Sequence, residues 1–130
     1  MSSLIPSFHD GQLLGFRLLP SKQCEIYITD VSKKPFKILL SEIEEIRADN
    51  FKEGNTILDV TFTNGDLVKR SEIFEVLSLE DGGVYTDFAN GIWERVRAKN
   101  LSLFQIDPSY GCSFLCLCKE CRVQERQSQP

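Results

Sequence analysis

The sequence predicts an α+β fold in which an antiparallel sheet of about five to seven strands carries one principal amphipathic helix. Three observations predict it. Short, turn-bounded segments of alternating polarity recur along the chain, as half-buried antiparallel strands do. One longer segment, beginning near Val84, spaces its apolar residues for a helix instead. Phe114 to Cys118 is apolar at every position, as a strand covered on both faces must be.

Taken in order, Phe8-His9-Asp10-Gly11 reads as a turn, with Asp10 able to hydrogen-bond its own backbone and Gly11 supplying a positive φ. Gln12 to Leu19 then forms a strand in which Gly15 marks a bulge. Pro20-Ser21-Lys22 turns the chain into a second strand, where Cys24, Ile26 and Ile28 alternate with Glu25, Tyr27 and Thr29. Phe36, Ile38 and Leu40 define a third. Ser41 to Asn50 is ambiguous: Ser41 with Glu44 fits a capping box, yet the window is too short for a full apolar stripe, so it reads as one helical turn or a bent strand. Thr56 to Thr63 is the cleanest strand, with Leu58, Val60 and Phe62 opposite Ile57, Asp59, Thr61 and Thr63. It ends at Asn64-Gly65, a hairpin signal whose partner strand is expected at Asp66 to Lys69, continuing through Ile73 to Leu79.

After Glu80-Asp81-Gly82-Gly83, the residues Val84, Phe88, Ile92 and Val96 recur at i,i+4, widened by Ala89 and Trp93, which predicts a helix over about 84–99. Leu101 to Ile106 and Cys112 to Arg122 are two strand-forming arms joined at Asp107-Pro108-Ser109-Tyr110-Gly111. The second arm holds four of the five cysteines and is expected to lie at the centre of the core. Residues 1–7 and 124–130 are expected to fray. With no linker or repeat between them, residues 1–130 read as a single domain.

Composition narrows the function. A net charge of −4 without a Lys/Arg cluster argues against nucleic acid, and no apolar run approaches a membrane span or a signal peptide. The expectation is a cytoplasmic protein, free of membrane and nucleic-acid partners. Five cysteines, four of them within ten residues, do not fit a secreted disulfide framework.

Three sets of residues are candidates for chemistry or binding. Cys112, Cys116, Cys118 and Cys121 offer soft ligands for zinc, but their spacing suits a strand better than a tetrahedral site, so small buried hydrophobes are the first reading. The lone His9 beside Asp10, with Ser109 and Tyr110 in a later turn, is the composition of a small general-base or ligand site. No metalloprotease, nucleophile-elbow, P-loop or dinucleotide signature is present, and neither cofactor nor catalysis is predicted. Glu42, Glu44, Glu45, Asp49 and Glu53, with a second acidic stretch over 72–87, read either as solvated faces or as a surface that steers a basic protein partner. Self-association is the other binding mode these features allow.

Phe8-His9-Asp10-Gly11 running into Leu13-Leu14-Gly15-Phe16, Phe51-Lys52-Glu53-Gly54-Asn55 before a strand, and Pro108-Ser109-Tyr110-Gly111 near the end resemble small bacterial β-rich proteins. Similar openings occur in families of polymorphic-toxin immunity proteins. That resemblance implies a small cytoplasmic binder that neutralises a cognate toxin by contact, and it carries over no functional residue.

Overall fold

The computed structural model describes residues 5–126 and places eight strands in one sheet. They are β1 (Gln12–Leu19), β2 (Gln23–Thr29), β3 (Pro35–Ser41), β4 (Glu45–Asp49), β5 (Thr56–Thr63), β6 (Ser102–Tyr110), β7 (Ser113–Cys118) and β8 (Glu120–Glu125). A 3-10 turn at Gly65–Leu67, helix α1 (Arg70–Leu77) and helix α2 (Thr86–Lys99) lie between β5 and β6. The strand order is β4-β7-β6-β5-β1-β2-β3-β8, and every neighbouring pair is antiparallel.

This sheet works as two four-stranded halves. β5 meets β1 through the single pair Gln12 and Thr56, helped by backbone bonds between Gly11 and Ile57 and between Leu13 and Asn55. At the opposite corner the chain itself crosses. β3 runs on into β4 and β7 into β8, and the two stay paired across the bend, from Leu40 with Cys121 to Glu45 with Leu117. Between Ser41 and Glu45 the chain advances four residues while its partner advances three, from Glu120 to Leu117. The extra residue makes a bulge, with Glu42 at φ 53°. Strands that bend from one half into the other are how orthogonally packed sheets make their corners.

The alternation of buried residues then builds two cores. Between the halves lie Leu13, Ile26, Ile28, Ile38, Leu40, Ile57, Val60, Phe104, Ile106 and Phe114 together with Cys24, Cys112, Cys116 and Cys118. Phe16 of one half meets Phe114 of the other edge-on at 5.4 Å. On the outer face of β6 and β7, Leu103, Leu115 and Leu117 are covered by Ile73 and Val76 of α1 and Ile92 and Val96 of α2. β7 therefore sends Phe114, Cys116 and Cys118 to one core and Leu115 and Leu117 to the other, as its unbroken apolar run requires. Among the described residues no helix covers the outer face of β1, β2, β3 and β8. There Glu25 gathers Arg17 (3.3 Å), Lys37 (3.2 Å) and the Tyr27 hydroxyl (2.6 Å).

Several expectations are corrected. The sheet has eight strands rather than five to seven, and there are two helices rather than one. Asn64-Gly65 does not turn a hairpin. A Cβ on Gly65 would lie 2.6 Å from both the Asn100 side chain and the Leu101 carbonyl, so the glycine serves a close approach of chains. The segment expected as its partner strand instead begins in the 3-10 turn and continues into α1, opened by Glu72 Oε1 accepting from the Lys69 amide (2.8 Å). The ambiguous stretch after Ser41 is the bent continuation of β3. A register shift in β5 turns both Ile57 and Val60 inward, where strict alternation would have separated them. In the first turn Asp10, not Gly11, takes the positive φ (63°); Gly11 is needed because a Cβ there would run into the Thr29 carbonyl. Gln124 and Glu125, expected to fray, pair with Lys37 and Phe36 in β8, while residues 1–4 and 127–130 fall outside the described part of the chain.

Candidate functional site

The first acidic stretch is divided by the corner bulge. Glu44 turns toward α2, where its carboxylate meets Arg95 Nε at 3.3 Å and Lys99 Nζ at 3.5 Å, with the side chain only 17% exposed. Asp49 is paired with Arg47, which also donates to the Glu75 carbonyl at 2.8 Å. Glu42 stands at the corner, Glu45 lies half-buried opposite Leu117, and Glu53 is exposed in the loop before β5. Two of the five carboxylates are thus committed to intramolecular cations, and the five do not form one face.

His9 and Tyr110 lie on opposite sides of β5. His9 Nδ1 donates to the Leu58 carbonyl at 2.9 Å, and its Nε2 stands 3.5 Å from Asp10 Oδ2. Ser109 and Tyr110, expected in a turn, end β6: Tyr110 pairs with Thr56 of β5 and is 58% exposed, and Ser109 donates to the Thr56 carbonyl at 3.3 Å. With the β5 backbone between them and both side chains in solvent, these residues do not converge in a cleft.

The cysteines are core residues. Cys112, Cys116 and Cys118 are buried with Cys24, and Cys121 is half-buried. Burial pushes the Cys24 thiol up to about 11 and the Cys121 thiol up to about 12, and burial raises Cys112 as well. A hydrogen bond with Cys118, reinforced by burial, drives Cys116 further in the same direction. Thiols held this way stay protonated at neutral pH, which suppresses their nucleophilic character. Among the described residues no group of three or more His, Cys, Asp or Glu side chains is arranged to hold a metal ion.

The second acidic stretch contains the feature that stands out. α2 begins at Thr86, whose hydroxyl donates to the Gly83 carbonyl at 2.8 Å. Only Ala89, Ile92 and Val96 of its apolar stripe are buried, with Trp93 packed at their margin. The stripe continues past the end of the sheet it covers. Val84 is 93% exposed, Tyr85 61% and Phe88 53%, so three large apolar side chains share one turn in solvent. The sequence assigns Val84 and Phe88 to the core, and the structure corrects this. Val84 and Tyr85 precede the first helical residue, Thr86, and follow Gly82 at φ 86°, while Phe88 lies in the first turn of α2. Across residues 80–88 the charged side chains are Glu80, Asp81 and Asp87, with no Lys or Arg. Asp81 is bound by Arg70 at 2.6 Å, leaving Glu80 and Asp87 at the rim.

Among the described residues no helix is long and apolar enough to cross a membrane. No protein-family model matches the chain, and searches of curated proteins and of solved structures return no match.

Proposed function

We propose that this chain is a non-catalytic protein-binding module that docks through the turn formed by Val84, Tyr85 and Phe88. The single observation carrying this reading is the exposure of those three side chains on one turn, where burial would be worth about 1.5 to 3 kcal/mol each. Tyr and Phe are the residue types that anchor interface hot spots. The carboxylates of Glu80 and Asp87 at the rim favour a partner that sets Lys or Arg beside an apolar groove. Neutralisation of a toxin by contact, the role implied by the resemblance to immunity proteins, has these requirements: a small acidic binder, a basic partner and no chemistry of its own.

The test is affinity capture from the native host with the intact chain and with the V84S/Y85S/F88S variant, both first shown to melt alike. A basic protein retained by the intact chain and lost by the variant supports the proposal. A protein held equally by both, or none held by either, overturns it. A concentration-dependent dimer abolished by the same variant would assign the turn to a second copy instead.

A further inference from the structure

At the corner where the chain bends from one half-sheet to the other, a cavity of about 300 Å³ opens between four segments. Ser21 and Lys22 come from the β1–β2 turn, Glu42, Ile43 and Glu44 from the bulge, Ala98, Lys99 and Leu101 from the end of α2, and Lys119 from the link between β7 and β8. That volume is at the lower end of the range for small-molecule pockets, and holds the equivalent of roughly ten waters. Its walls are rigid. Ile43 donates to the Lys22 carbonyl at 3.1 Å, Glu44 to Leu117 at 2.7 Å, and Lys119 to Ser41 at 3.1 Å, all backbone to backbone.

The charge around it is unbalanced. Three lysines face two glutamates, and Glu44 is already shared between Lys99 and Arg95. Lys22 and Lys119 are left with Glu42, and Lys99 with Arg95 outnumber Glu44, so cations exceed carboxylates at this corner. Leu101, buried, and Ile43, half-buried, supply an apolar wall.

The bulge and the hairpin loop fix where these side chains stand. Ser21 (φ 66°), Lys22 (φ 58°) and Glu42 (φ 53°) all take left-handed conformations at this cavity. Pro20, Ser21 and Lys22 form the three-residue loop between the paired Leu19 and Gln23, and a glycine at 22 would take the left-handed conformation at less cost. Here a lysine occupies the position, so its side chain brings charge to the cavity at a conformational cost. Lys22 and Glu42 thereby stand at the cavity on backbone that costs free energy to hold.

We propose that this corner cavity binds a small organic carboxylate, its anionic end held by Lys22 and Lys119 and a short apolar body lying against Ile43 and Leu101. The apolar wall of Ile43 and Leu101 gives an alkyl body a contact that inorganic phosphate cannot make. The site is distinct from the exposed turn of α2, whose residues are not among those lining it.

The experiment titrates the full 15N-labelled chain with hexanoate, acetate, inorganic phosphate and hexylamine. Hexanoate is expected to give saturable shifts of the Lys22, Ile43 and Lys119 amides and to bind several-fold tighter than acetate. The K22Q/K119Q variant, altered only at exposed side chains, should keep its spectrum elsewhere and lose affinity about tenfold or more. Absence of saturable shifts with hexanoate, equal response to phosphate or hexylamine, or undiminished binding by K22Q/K119Q would each overturn the proposal.

Discussion

The backbone of Gly111 packs against the side chain of Asn55 so closely that a Cβ at position 111 would lie 2.5 Å from the Asn55 oxygen. Asn55 is buried, and all its polar capacity is used between separate segments. Its oxygen accepts from the Lys52 amide (2.8 Å) and the Cys112 amide (3.0 Å), while its nitrogen donates to the carbonyls of Lys52 (2.7 Å) and Leu13 (3.3 Å). One amide thus ties the β6–β7 turn, the loop before β5 and the start of β1 together, at the corner where the halves share only one paired residue.

Asn55→Ala should therefore destabilise the fold by about 3 kcal/mol, because several buried backbone groups lose partners at once. Urea unfolding of the variant checks this. A loss below about 1 kcal/mol would mean that water replaces the side chain.

Gly111→Ala should cost about 2 kcal/mol or more, since φ is 92° there and the added methyl meets Asn55. Gly15→Ala is the control. A Cβ at position 15 meets open space, so the change should stay within about 0.5 kcal/mol.

The two ends of the α2 stripe should respond in opposite ways. Ile92→Ala, at a fully buried position, should cost about 2 to 5 kcal/mol. Phe88→Ser should leave the melting temperature nearly unchanged while weakening partner capture. A large stability loss in Phe88→Ser would show that the exposed turn is covered by its own chain.

Stability should fall on the acid side partly through Glu25. The hydrogen bond from Tyr27, then that from Lys37, hold its carboxyl below the usual glutamate value. The unfolded chain therefore takes up this proton first as pH drops. The contribution is present in full above about pH 5 and is lost as pH falls through the folded value. Glu25→Gln should flatten this part of the curve of melting temperature against pH, and an unchanged acid limb would reject the assignment.

On the alkaline side the sign reverses. Cys24 titrates near 11 in the fold against about 9 when unfolded, so the folded state keeps its proton longer and loses stability as pH rises from about 9 toward 11. At neutral pH the thiols should react with a disulfide reagent far more slowly than in urea, with half-buried Cys121 the first to respond. Fast labelling of more than one thiol in the native protein would contradict this.

The architecture was legible where one physical pattern acted alone. Gln12–Leu19 and Thr56–Thr63 read as strands with the bounds they have in the fold, and Phe114 to Cys118 announced a strand covered on both faces. Reading failed where two patterns overlap. Asn64-Gly65 resembles a hairpin turn, but its glycine answers to Asn100 and Leu101, residues far along the chain that no local window includes. Ile73 to Leu79 fits strand alternation as well as a helix, and only Leu115 and Leu117 beneath it select the helical face. The same limit governs function. The sequence by itself determined that the chain is acidic, that its cysteines suit a core and that an apolar stripe begins at Val84. The tertiary structure decided which part of that stripe has a sheet to cover, which carboxylates already hold a cation, and that Lys22, Glu42 and Lys119 meet at one corner. Solvent exposure and charge pairing depend on which distant segments meet, and folding alone sets that.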